Sequence, residues 1–274
     1  MFKNLKRLKE KYNENVFKRD NEDYYLNVQP IQRGGVLTKE AQKALIEYGD
    51  GYSLCDNCLK GDIKLIQNPP VDEFVVDLSK FLGVDDLLFT ESCRRAKQIA
   101  MAIAKEKFPD RKILIVDANA HYSTFLAAEW NGLEIREVPR TSYPEYKVKL
   151  AEYSTVIENV EKETGQLPLA ALLTHVDYAY GNYNDASRVG KICKEKNVPF
   201  ILNGAYTVGI LNVNAKKVGA DFITASAHKS MASSGPMGIL GFTKKYQDIA
   251  TKHSSLKGNL TDKTFGNKLC YTLG

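Results

Sequence analysis

Asp221-Phe222-Ile223-Thr224-Ala225 runs directly into Ser226-Ala227-His228-Lys229-Ser230, and the turn Ser233-Ser234-Gly235-Pro236-Met237-Gly238 follows. The apolar, β-branched run predicts a buried strand. Lys229 then falls just past the strand end, preceded by small residues and a histidine and followed by a glycine-rich turn. A lysine held there is partly desolvated, so its amine is biased toward the neutral, nucleophilic form. Such an amine can form a Schiff base with an aldehyde. The alternative is a surface lysine after a strand, and the rest of the chain decides between the two.

Outward from this segment, apolar runs alternate with helical patterns from about residue 72. Glu73–Leu82 places Phe74, Val75, Leu78, Phe81 and Leu82 on one helical face. A short strand at Leu87–Phe89 and a helix from Cys93 to Lys107 come next. Lys112–Val116 reads as a fully buried strand, Ser123–Asn131 as a helix and Leu133–Val138 as a strand. The amphipathic stretch Lys147–Thr164 leads to a strand at Leu169–Val176. Asp185 is an N-cap for a helix to Lys196, Pro199–Leu202 is a strand, and Gly238–Phe242 returns antiparallel. Thr38 caps a further helix over Lys39–Tyr48. This alternation predicts an α/β fold, with a mostly parallel central sheet and helices on both faces. Ligands of such sheets bind beyond the strand C-termini. His121, His175, Asn203 and Lys229 each follow a strand-like run.

Composition sets the outer limits. The 274 residues are 43% hydrophobic and 26% charged, ordinary for a soluble globular protein. No apolar run approaches a membrane span, and the basic N-terminus lacks the hydrophobic region of a secretory signal, which points to the cytoplasm. The net charge of +5 is mild, but Lys3, Lys6, Arg7, Lys9, Lys11, Lys18 and Arg19 cluster in residues 1–19 against Glu10 and Glu14. A basic first helix suits a phosphate backbone, and a solvated face accounts for it equally. Five cysteines, an odd number, argue against a disulfide framework. Cys55-Asp56-Asn57-Cys58 is a CxxC suited to sulfur chemistry, metal binding or redox exchange. Cys93 and Cys193 fall on predicted helices.

Other segments carry candidate chemistry. Thr90-Glu91-Ser92-Cys93-Arg94-Arg95-Ala96 opens a helix, where free N–H groups and the dipole favour a phosphate, and Arg94 adds charge. Ser226 and His228 can reach the same anion. His121, in Asn119-Ala120-His121-Tyr122, can stack on a flat ring or pack in the core. Asp177, after Thr174-His175-Val176, is either a polar contact to a ligand or the start of a loop. Arg33, in Gln32-Arg33-Gly34-Gly35, suits a phosphate or carboxylate, or is an exposed turn residue.

The Ser-Ala-His-Lys segment resembles the cofactor lysine of pyridoxal-phosphate enzymes of the aspartate-aminotransferase superfamily. Many of those enzymes place an aspartate where this chain has Asn203. An asparagine there weakens the electron sink, which still suffices for β-elimination of a good leaving group such as phosphate. More specifically, the chain resembles the archaeal O-phosphoseryl-tRNA:cysteinyl-tRNA synthases. That similarity is carried by Pro30–Thr38, by Gly49–Ser53 with Cys55 and Cys58, and by Asn68-Pro69-Pro70. It continues in Ala118–Ser123, Thr174–Asp177, Tyr180-Gly181-Asn182, Asn203–Gly209 and the lysine segment.

The resemblance implies an aspartate-aminotransferase-like large domain over 71–274, after an N-terminal helical and loop segment over 1–70. Members of that family continue for roughly another hundred residues into a smaller C-terminal domain, which is expected to be absent from this chain. Lys229 would carry the Schiff base and His121 would stack on pyridoxal phosphate. Ser92, Cys93, Arg94, Ser226 and His228 would surround its phosphate, with Asp177, Asn182 and Asn203 as further polar contacts and Arg33 toward substrate. Cys55, Cys58 and Cys270 match cysteines associated with sulfur transfer or an iron–sulfur cluster. Ser92-Cys93 departs from the family's usual Gly-Ala. The expected reaction replaces the phosphate of O-phosphoseryl-tRNA(Cys) by sulfur in a homodimer, with the phosphoseryl-tRNA synthetase as a further partner. A cysteine desulfurase or lyase of the same fold, and a non-catalytic tRNA-binding scaffold, are the rival readings.

Overall fold

A computed structural model of the chain describes residues 37–49, 62–231, 233–261, 263–264, 266 and 269–271. Arg33, Cys55, Cys58 and the basic 1–19 segment lie outside these residues.

The sheet has seven strands: β1 (Asp86–Thr90), β2 (Ile113–Asp117), β3 (Glu134–Val138), β4 (Ala170–Thr174), β5 (Phe200–Asn203), β6 (Phe222–Ser226) and β7 (Gly238–Phe242). Their spatial order is β1-β7-β6-β5-β4-β2-β3. β7 runs antiparallel to both neighbours, and the other adjacent pairs are parallel. The antiparallel return expected at Gly238–Phe242 is therefore present.

Named helices in chain order are α1 (Lys39–Glu47), α2 (Val71–Leu82), α3 (Cys93–Lys107), α4 (Tyr122–Trp130), α5 (Glu152–Thr164), α6 (Ala186–Glu195), α7 (Ala215–Val218), α8 (Ala227–Ser230) and α9 (Gln247–Ala250). Alternation along each strand sends side chains to two separate cores. Ile113 and Ile115 face one way, among Val75, Leu78 and Leu82 of α2, Tyr153 and Ile157 of α5 and Val189 of α6. Leu114 and Val116 face the other way, among Ala100, Met101 and Ile103 of α3 and Ala127 of α4. Both faces are covered, so the strands carry continuous apolar runs, which is why the sequence reads as buried strands.

Two local expectations fail. Helix α5 begins at Glu152, not near Lys147. Residues 139–151 instead form a tight excursion in which Lys149 N–H donates to the Pro139 carbonyl (2.9 Å) and Thr141 N–H to that of Lys147 (2.8 Å). Tyr143-Pro144 lies within it, and the residue before a proline is biased away from helix. In α2, Val75, Leu78 and Leu82 are buried, but Phe74 and Phe81 remain 51% and 50% exposed. The apolar stripe there is wider than the face the core can cover.

Candidate active site

The C-terminal ends of β2, β4, β5 and β6 and the start of α3 enclose a cavity of about 310 Å³. On its wall meet Ser92, Cys93, Arg94, His121, Asn203, Ser226, His228 and Lys229, eight side chains singled out from sequence. Asp177, Asn182 and His175 are not on it.

The start of α3 is built for an anion. Ser92 caps it, its Oγ accepting from Arg95 N–H at 3.2 Å. The helix is 15 residues long, so its first N–H groups and its dipole present partial positive charge. Gly238, at the start of β7, lets this corner close: a Cβ there would lie 2.3 Å from the Ser92 carbonyl carbon and oxygen. Arg94 donates to the Tyr122 hydroxyl at 3.3 Å and lies over that ring.

Lys229 sits on α8, one turn past β6, with its Nζ 3.9 Å from the centroid of the Tyr206 ring. Asn203 ends β5, and its Oδ1 takes two donors, the Cys93 thiol at 3.6 Å and Ala205 N–H at 3.3 Å. Two donors on one atom settle the amide orientation. The oxygen is the occupied atom, and Nδ2 is the free donor. Cys193, by contrast, is packing: it is buried in the core, and burial pushes its thiol up to about 12.

His121 caps α4. Its Nδ1 accepts from Ser123 N–H (3.2 Å) and lies 2.9 Å from Ser123 Oγ. Burial, with the cations Lys97, Lys229 and Arg94, pulls its pKa down to about 4. The ring is neutral at physiological pH, and Tyr178 packs edge-on against it at 4.9 Å. His228 keeps Nδ1 3.2 Å from both the N–H and the carbonyl of Met237.

Asp177 takes the second of its two sequence readings, as the start of a loop. Its Oδ1 accepts from Ala179 N–H (3.0 Å) and Tyr180 N–H (2.6 Å), and its Oδ2 from Asn182 N–H (3.2 Å) and Asn119 Nδ2 (3.3 Å). Asn182 Nδ2 donates to the carbonyls of Glu145 and Tyr146. Both side chains are consumed in holding backbone, so the expected contact to a cofactor is corrected for each. His175 is likewise spent behind the wall, with Nδ1 2.9 Å from Thr207 Oγ1.

Among the wall residues given no role in the sequence reading, two carry side chains that matter here. Tyr206 lay inside a quoted segment but was given no role. Lys97 is only 1% exposed, with its Nζ donating to Ser123 Oγ (2.8 Å) and Thr124 Oγ1 (2.9 Å). The signal was present: positions 93, 96, 97, 99, 100, 101, 103 and 104 are the buried face of α3, and a lysine on such a face is out of place unless it has partners. Cys270 is exposed, and among the described residues no group of three or more metal-ligating side chains occurs.

The fold is an α/β large domain of the aspartate-aminotransferase type. The model of the family described as O-phosphoseryl-tRNA(Sec) selenium transferase, SepSecS, matches residues 72–272, and the chain belongs to that family. A similar protein from Archaeoglobus fulgidus, named O-phospho-L-seryl-tRNA:Cys-tRNA synthase 2, is 47% identical over 243 residues, covering 89% of this chain and 61% of that protein. The O-phospho-L-seryl-tRNA:Cys-tRNA synthase of Methanocaldococcus jannaschii is 50% identical over 232 residues, covering 84% and 60%. Among solved structures, a complex of SepCysS with the SepCysE N-terminal domain matches at 45% identity and TM-score 0.78, over 96% of this chain and 66% of the other. A cysteine desulfurase from Thermococcus onnurineus, 20% identical with TM-score 0.65 over 87% and 59%, shares the fold. The chain thus spans about three fifths of the length of the curated relatives it matches.

Proposed function

We propose that residues 71–274 form the cofactor-binding large domain of a cytoplasmic pyridoxal-phosphate enzyme that converts O-phosphoseryl-tRNA(Cys) to cysteinyl-tRNA(Cys). The observation that carries this reading is the charge of the cavity. Its described wall bears three cations, Arg94, Lys97 and Lys229, and no carboxylate, beside the N-terminus of a long helix. Such a wall is suited to phosphate, and the proposed reaction brings two, one on the cofactor and one on the substrate.

The donor set fits the cofactor. Ser92, Arg94, Ser226 and the first N–H groups of α3 would hold its phosphate, with His228 beside them. Lys229 would hold its aldehyde end. His121, neutral, would lie against its ring, and Asn203 Nδ2 would donate to the ring nitrogen, leaving that nitrogen unprotonated. When bound, pyridoxal phosphate supplies an electron-withdrawing ring that labilises the substrate's Cα proton and its β-substituent.

The chain's own groups then account for the rest. Lys229, whose Nζ lines the cavity beside Tyr206, would take the Cα proton as the general base. The Cβ–O bond breaks and phosphate leaves toward Arg94 and Lys97. A sulfur nucleophile forms the Cβ–S bond, and Lys229 returns the proton to Cα. Cys55, Cys58 and Cys270 are the proposed sulfur carriers, either as ligands of an iron–sulfur cluster or through a persulfide loaded by a sulfane-sulfur donor, whose outer sulfur bonds to Cβ and whose S–S bond is then cut by a second cysteine to leave a disulfide. The basic 1–19 segment and Arg33 are assigned to the tRNA and substrate phosphate. A homodimer, a protein partner of the SepCysE kind and a phosphoseryl-tRNA synthetase complete the reading.

The test is turnover. The chain, loaded with pyridoxal phosphate, is given O-phosphoseryl-tRNA(Cys) and sulfide, and aminoacyl products are separated after deacylation. Cysteine with stoichiometric phosphate supports the assignment. Alanine and sulfide from free cysteine, with no action on the tRNA, would assign a desulfurase instead.

A further inference from the structure

Lys97 makes and breaks no bond in the chemistry just assigned, where it lends only its charge to the departing phosphate, yet it is the most deeply buried cation on the cavity wall. Its Nζ contacts two hydroxyls, Ser123 Oγ at 2.8 Å and Thr124 Oγ1 at 2.9 Å. An ammonium has only protons to give, so both oxygens act as acceptors toward it. Ser123 Oγ must therefore send its own proton elsewhere, and His121 Nδ1 lies 2.9 Å away. Ser123 N–H points at the same nitrogen, at 3.2 Å. A proton on Nδ1 would face the N–H and break both bonds.

We propose that Lys97 is a positioning residue: through Ser123 Oγ it locks His121 in the neutral tautomer that carries its proton on Nε2. This makes His121 a fixed ring with one hydrogen-bond donor, and withdraws it from acid–base exchange.

The surrounding charges support the same direction. Facing His121 are Lys97, Lys229 and Arg94, all cationic, together with the rings of Tyr122 and Tyr178. Lys97 itself is surrounded by Cys93, Lys229, Arg94 and Asp117. Of these only Asp117 is a carboxylate, and its Oδ1 and Oδ2 accept from Asn119 N–H and Thr174 N–H. The buried ammonium thus opposes a second positive charge on the imidazole, and the hydrogen-bond chain tells the ring which nitrogen to leave bare. Thr124 Oγ1, the other acceptor, holds Lys97 without a hydrogen bond to the imidazole, and Thr124 meets His121 only through its N–H, which donates to the His121 carbonyl at 2.8 Å, so the two hydroxyls have separable roles.

The inference is tested on the full chain without added cofactor, labelled with 15N-histidine, by following the imidazole nitrogens through a pH titration. His121 is assigned by loss of its signals in His121→Gln. The expected wild-type result is a single Nε2–H tautomer that protonates near pH 4. Lys97→Met should raise that midpoint by a pH unit or more, toward the ordinary histidine value, while Thr124→Val leaves it within a few tenths. Should Lys97→Met fail to fold, Lys97→Gln removes the charge while retaining an NH2 donor on a shorter side chain, and the upward shift is expected there too. Ser123→Ala should broaden the tautomer distribution. An unchanged midpoint in the folded Lys97 variant, or an Nδ1–H tautomer in the wild type, overturns the proposal. A purely structural Lys97 would lower stability and move neither signal.

Discussion

Two clusters of polar side chains sit beyond the C-terminal ends of the same parallel strands, and they are opposites. Around Asp177, Asn119 and Asn182, each donor meets an acceptor: four N–H groups converge on one carboxylate, and Arg140 donates to Asn119 Oδ1 at 2.8 Å. Around Lys229, Arg94 and Lys97, three cations face a cavity whose described wall offers no carboxylate. The first cluster is closed, and its free energy is spent on fixing the loops after β2 and β4. The second is open, since charge that the protein leaves uncompensated in a cleft is held for something that is not protein. Both places mix buried and half-buried polar side chains. The hydrogen-bond inventory is what separates a brace from a binding site.

Lys229→Ala should have the largest effect and is the first way to break the comparison. In the open cluster a lost amine cannot be replaced by a neighbour, so turnover should fall by about 10²–10⁴-fold or more. The denaturant midpoint should barely change, because Lys229 is only half-buried and its amine lies over the ring of Tyr206, itself partly exposed. Incubation with pyridoxal phosphate, borohydride reduction and peptide mass mapping should mark Lys229 in the wild type and nothing at that position in the variant. A label on another lysine in the wild type would remove Lys229 from its role.

Asp177→Ala should do the reverse. Four donors lose their acceptor in a buried place, a cost of about 2–4 kcal/mol of stability. Urea unfolding reads that loss directly. Cofactor bound per folded molecule, from absorbance below the unfolding transition, should stay close to wild type. A stable variant that no longer binds cofactor would move Asp177 from the closed cluster to the open one.

How much of this was legible in the sequence follows from what each signal measures. Lys112–Val116 and Asp221–Ala225 read as strands because both sheet faces are covered, so periodicity and burial agree. The start of α5 was misplaced because Lys147–Leu150 fits an amphipathic period while Tyr143-Pro144 and the Arg140–Val148 bridge hold the backbone extended. In the site, Ser92, Arg94, His121, Asn203, Ser226, His228 and Lys229 converge as their positions at strand ends and a helix start suggested. Asp177 and Asn182 looked equally suitable, because a sequence names an oxygen without showing who has already claimed it. Lys97 is hidden for the opposite reason: it stands beside no turn, and a lysine in mid-helix reads as solvent-facing unless the burial of its neighbours along the helix is known.

Lys97 also gives the comparison a pH signature. Burial, with Lys229 and Arg94 nearby, pulls its pKa from 10.5 down to about 8. Between those values the unfolded chain keeps the proton that the folded chain has released, so stability rises with pH across that window. Below about pH 8 both states are protonated and the penalty for burying the ammonium is constant. Urea midpoints taken at intervals from pH 7.5 to 10.5 should therefore climb more steeply in wild type than in Lys97→Met. Parallel curves would mean that Lys97 keeps its ordinary affinity for a proton, and that the open cluster is better solvated than its geometry implies.

The smallest effect is expected at Cys93, where the two kinds of cluster meet in one residue. Its thiol faces the cavity yet is engaged, donating to Asn203 Oδ1 at 3.6 Å alongside Ala205 N–H at 3.3 Å. A thiol is a weak donor, and the backbone N–H remains after its removal, so Cys93→Ala should cost less than about 1 kcal/mol. Its consequence is orientational. With one donor in place of two, the Asn203 amide gains freedom to turn, and Nδ2 spends less time as the group presented to the cavity. The side-chain amide protons of Asn203 should exchange faster with solvent in Cys93→Ala, while those of Asn119, held by Tyr146 and Asp177, keep their wild-type rate. Cys93→Ser, with a stronger hydroxyl donor on a shorter bond, should restore part of the protection. Equal exchange at Asn203 in all three proteins would show that Ala205 alone fixes the amide and that Cys93 is only a neighbour.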